Sequence, residues 1–103
     1  MSNAPMFLDF LDAHAGDLVK VELGVREGEL DRPVAKLYGT LGPLRMVDDA
    51  DHADHGVTWV PVGAATGVGF YVEADRAATV LVNGHGATIR FADDHYVSVS
   101  GLG

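Results

Sequence analysis

The sequence contains no cysteine, only seven lysines and arginines, and no apolar run long enough to cross a bilayer. Each shortage excludes a class of function. Without thiols there is no disulfide scaffold, no thiolate zinc site and no cysteine nucleophile. The basic residues Lys20, Arg26, Arg32, Lys36, Arg45, Arg76 and Arg90 are scattered and stand against 15 acidic ones, for a formal charge of −8. Such a chain repels phosphate backbones and has no basic stripe to offset that repulsion, so no nucleic-acid partner is expected. A membrane-spanning helix takes ~20 consecutive apolar residues, and the first dozen residues lack the basic start of a signal peptide. The expectation is a cytoplasmic protein with no membrane partner.

What is present describes one folded domain, residues 1–103, with 48% hydrophobic side chains, close to the ordinary globular value of about 45–50%. Residues 1–4 carry no fold argument, because Ser2-Asn3-Ala4 is a tripeptide often left by expression vectors. One segment, residues 5–15, has the periodicity of a helix. Met6, Phe7, Phe10 and Leu11 share a face, Pro5 suits the first turn, and Gly16 ends the segment. About ten residues cannot hold a helix alone in water, so this one must dock on an apolar surface.

From Asp17 the period becomes two. Val19, Val21, Leu23 and Val25 alternate with Lys20, Glu22 and Gly24, and Glu27-Gly28-Glu29 follows as a polar turn. Val34 to Leu41 alternates again, with Ala35, Leu37 and Gly39 on one side and Lys36, Tyr38 and Thr40 on the other. Further short strands are predicted at Val57–Val62, Phe70–Val72, Ala78–Val82, Ala87–Phe91 and His95–Ser100, with Asn83-Gly84-His85-Gly86 as a hairpin turn. With one helix only, no crossovers are available for a parallel sheet. The fold class is therefore mainly β: a small, strongly bent antiparallel barrel over residues 17–100 with one N-terminal α-helix.

The helix, the strand Gly16-Asp17-Leu18-Val19-Lys20-Val21-Glu22-Leu23 and the strand ending Leu37-Tyr38-Gly39-Thr40-Leu41 together resemble the Sm-like family of small barrels. The resemblance covers roughly residues 6–41 and implies a ring-forming barrel; an SH3-like barrel fits the same pattern. It does not carry over RNA binding. Gly42–Asp48 lacks the family's asparagine after the second strand, and the later turn Asn83-Gly84 lacks its arginine.

Two features could carry chemistry. The first is the loop of residues 48–56, Asp-Asp-Ala-Asp-His-Ala-Asp-His-Gly, in which His52 and His55 with Asp51 offer imidazole and carboxylate ligands to a divalent metal. The simpler reading is a solvated acidic loop. An EF-hand is excluded, because counting from Asp49 the sixth and twelfth positions are Asp54 and Val60, not glycine and glutamate. A fold that brought His85 and His95 beside this loop would complete a histidine patch. His14, at the end of the helix, is expected to meet the helix's last carbonyls. The second feature is the set of aromatics Tyr38, Trp59, Tyr71 and Tyr96. A small barrel has too little interior for all of them, so some should face outward and form an interface.

No nucleophile and base stand in a catalytic pattern: Ser2, Ser98 and Ser100 lie at a terminus or on an outward strand face. The functional expectation is a small acidic, non-enzymatic binding or assembly module that forms a homo-oligomer or docks on a protein partner, without a cofactor. The alternative is a metal- or small-ligand-binding domain built on the His/Asp loop 48–56.

Overall fold

The structure is a computed structural model and describes residues 4–46, 57–63, 68–73 and 77–102. Its elements in chain order are α1 (Ala4–Ala13), β1 (Leu18–Glu27), β2 (Leu30–Thr40), β3 (Arg45–Met46), β4 (Val57–Pro61), β5 (Gly69–Glu73), β6 (Ala77–Val82), β7 (Gly86–Phe91) and β8 (His95–Gly101). They form two antiparallel sheets, one in the order β2-β1-β8-β7-β6 and the other β3-β4-β5. The Leu41–Val62 bridge joins the sheets, and Gly63 N–H donates to the Thr40 carbonyl at 2.7 Å.

The mainly β architecture with one N-terminal helix is as read from the sequence, but closure is not. Among the described residues β2 and β6 each have a neighbouring strand on one side only. Part of the reason is in β2. Pro33 has no N–H, and the register passes from Leu23–Ala35 to Gly24–Pro33 with Val34 left unpaired. Proline and a bulge both stop a strand edge from acquiring another partner.

The core follows the two periods. Phe7 and Leu11, four residues apart on α1, are fully buried, while Asp9 and Asp12 stay in water. From the strands come Val19, Val21, Val60, Val72, Ile89 and Val99, joined by the bridge residue Val62. α1 lies against β6 and β7, which is the docking that so short a helix requires. Burying a side chain the size of Phe7 or Leu11 contributes roughly 1.5–3 kcal/mol.

The helix is shorter than the predicted 5–15, because His14–Gly16 already form the turn that leads into β1. The β1–β2 hairpin is longer than the alternation suggested. It runs out to a tight turn at Gly28-Glu29, pairing Glu27 with Leu30 and Arg26 with Asp31. The outer half of β2 is exposed on both faces.

Candidate interaction surface

On the outer face of the five-stranded sheet Tyr96 does not project as an aromatic usually would. It is only 2% exposed. Its register partner on β1 is Gly24, and a side chain there would meet the Tyr96 ring at 2.7 Å. The ring lies where that side chain would be. Its hydroxyl donates to Glu22 Oε2 at 2.9 Å, and the Arg90 guanidinium sits 5.4 Å from its centroid. Arg90 then reaches across to the β1–β2 hairpin and donates to both carboxylate oxygens of Asp31, each at 2.7 Å. Burial, reinforced by the acceptor Glu22, pushes the Tyr96 hydroxyl up to about 12. The bond from Arg90 holds the Asp31 carboxyl below its ordinary value. Tyr96 is thus corrected from an interface residue to a buried one.

The other three aromatics are accessible to different degrees. Trp59 and Tyr71 face each other across β4 and β5, with ring centroids 4.7 Å apart and planes at 54°. Gly69 lets the indole lie close, since a Cβ there would stand 2.9 Å from Trp59 Cζ2. Thr58, Val60, Phe70 and Val72 point inward, so Trp59 and Tyr71 lie on the outside of the three-stranded sheet, with Arg45 opposite Trp59 on β3. Tyr71 is exposed and Trp59 half-buried. Tyr38 is exposed on β2, opposite Lys20.

Sequence reasoning missed several exposed apolar side chains: Leu30 and Val34 on β2, and Leu81 on β6. Val34 opens an alternating stretch of the sequence and Leu81 falls in a short predicted strand, and neither pattern marks the residue as exposed. The signal available for β2 was Pro33, which marks an edge strand with water on both sides.

Of the histidines of the expected patch, the described pair His85 and His95 do not come together. His85 sits at the β6–β7 turn, where its carbonyl accepts from Gly101 N–H at the far end of β8, whereas His95 begins β8. Six residues of strand put them about 20 Å apart. His95 Nδ1 is 3.1 Å from Asp93 Oδ2. Burial acts to raise the Asp93 carboxyl, but the His95 backbone N–H and imidazole outweigh it and hold that carboxyl low.

His14 lies with Nδ1 2.9 Å from Asp17 Oδ2 and its ring tilted at 37° against Phe10, in place of the expected bond to helix carbonyls. A cleft of about 280 Å³ is lined by His14, Asp17, Leu18, Gly84, His85 and Gly101. Asp51, His52 and His55, the proposed metal ligands, lie outside the described residues, as does the rest of loop 48–56. Among the described residues no three histidine or acidic side chains form a group able to hold a metal ion, and no helix is long and apolar enough to cross a membrane. No protein-family model, curated protein or solved structure matches the chain.

Proposed function

We propose that this protein is a small acidic, non-catalytic assembly module of the cytoplasm that associates with further copies of itself. We further propose that its fold belongs with the small bent barrels of the Sm-like or SH3-like kind, left open between β2 and β6. The observation that carries the functional reading is the surface. Leu30, Val34, Tyr38, Tyr71 and Leu81 are each more than half exposed on a chain of 103 residues. Single exposed apolar residues are ordinary. Five large ones on strands, in a protein whose strand edges also lack partners among the described residues, favour burial against another chain. Nucleic acid is not proposed as a partner: of the seven bases, Arg32 and Arg90 are already paired with Glu27 and Asp31.

Size exclusion coupled to light scattering tests the reading. A multiple of the mass of one chain is expected. The mass of a single chain at high protein concentration and raised salt, where repulsion between chains of charge −8 is screened, would overturn it.

A further inference from the structure

The self-association proposed above requires a seam, and the two edges of the five-stranded sheet that have no further strand among the described residues are not equivalent. On β2, Gly63 occupies the Thr40 carbonyl, Pro33 supplies no N–H, Val34 bulges, and Asp31, Arg32 and Lys36 bring charges. These are the features by which proteins guard an edge. On β6, Ala-Ala-Thr-Val-Leu-Val, there is no charge and no proline, and its one register shift, at Ala78, precedes the regular stretch Thr79–Val82.

The hydrogen-bond alternation fixes which backbone groups of β6 are free. Asn83 N–H donates to the Gly86 carbonyl at 2.9 Å, so Asn83 and Gly86 are a hydrogen-bonded pair. Hydrogen-bonded and non-bonded pairs alternate along an antiparallel ladder. Leu81–Thr88 is therefore bonded, and Val82–Ala87 and Val80–Ile89 are not. The N–H and C=O of Val80 and Val82 point away from β7, and no described residue meets them.

We propose that β6 pairs antiparallel with β6 of a second copy about a two-fold axis at Leu81. Val80 and Val82 of one chain then exchange hydrogen bonds with Val82 and Val80 of the other. Leu81, 62% exposed on the outer face, comes directly opposite its own copy, where side chains of a non-bonded pair are in contact. The occupant is a second copy because the edge is uncharged and self-complementary. Two chains of charge −8 can meet along β6 without setting like charges opposite each other, whereas β2 against β2 confronts charged side chains. Three residues a side, Val80–Val82, is small beside the roughly 20–30 of a standard interface, so the dimer is reversible.

Sedimentation of the full chain tests this with Leu81→Lys, which sets two charges face to face, and Val82→Pro, which removes an N–H that β7 does not use. Val68→Ser, an exposed apolar residue just before β5, is the control, and far-ultraviolet circular dichroism identifies any variant that fails to fold. Dimers for the unaltered chain and Val68→Ser, with at least tenfold weaker association for whichever β6 variants fold, is the expected result. Dimers that persist unchanged in a folded β6 variant would overturn the β6 seam and leave self-association standing. An unaltered chain that stays monomeric would overturn both.

Discussion

The Tyr96 ring lies across Gly24, its partner in the β1–β8 ladder, in the space that any side chain at residue 24 would fill. That packing buries an aromatic on the face of the sheet turned away from the core. It also makes the hairpin beyond Gly24 dependent on what covers the ring. Gly24→Ala would drive a methyl group into the Arg32 carbonyl and the Tyr96 ring. The expected cost is about 1–3 kcal/mol, the usual range for overpacking. Urea unfolding monitored by circular dichroism checks it, and an unchanged midpoint would contradict the packing described.

The tie from Arg90 to Asp31 gives the protein an acid-side dependence. The folded-state carboxyl of Asp31 is lower than its ordinary value near 3.8. Its contribution is therefore fully present above that value and is lost as pH falls through the folded-state value. Asp31→Asn should unfold at lower denaturant than the unaltered chain at neutral pH. The difference should shrink as pH drops below about 4, where the unfolded carboxyl begins to take up its proton.

Tyr96 acts at the other end of the scale. Its hydroxyl titrates at about 12 in the fold against 10 ordinarily. The raised value contributes stability that is complete below pH 10 and is lost as pH rises through about 12. Tyr96→Phe removes this loss and also the bond to Glu22, which costs about 1.5–3 kcal/mol for a charged acceptor. Comparison of unfolding midpoints between pH 8 and 11, roughly the span around the ordinary tyrosine value, should show the gap between the two proteins narrowing as pH rises.

Phe7 is fully buried and anchors α1 among the core side chains. Phe7→Ala should cost about 3–5 kcal/mol. Because ten residues do not hold a helix in isolation, the helical circular dichroism signal should fall together with stability. A variant that lost stability but kept its helix signal would show that the helix does not depend on this docking.

The elements were legible where one period dominates. Phe7 and Leu11 at a spacing of four, and Val19, Val21, Val97 and Val99 at a spacing of two, point to the core. The position of Tyr96 was not legible, because its burial depends on a glycine more than seventy residues away in the chain and on the Arg90–Asp31 bond that closes over it. Alternation marked Tyr96 as outward-facing and it is, but an outward face can still be covered. The separation of His85 from His95 was likewise hidden, since it depends on β7 and β8 running antiparallel in one sheet. That β2 and β6 have no second neighbouring strand among the described residues follows in part from edge features of β2 that the pattern of apolar residues does not register.

The most direct measurement is hydrogen–deuterium exchange of the unaltered chain over a dilution series. Val80 and Val82 direct their N–H groups away from β7, where no described residue bonds them, and in a pair joined along β6 they are bonded. Self-association at that edge predicts that the segment holding Val80 and Val82 becomes protected as concentration rises, while the Trp59 and Tyr71 strands do not change. Exchange that is independent of concentration throughout the chain would contradict self-association.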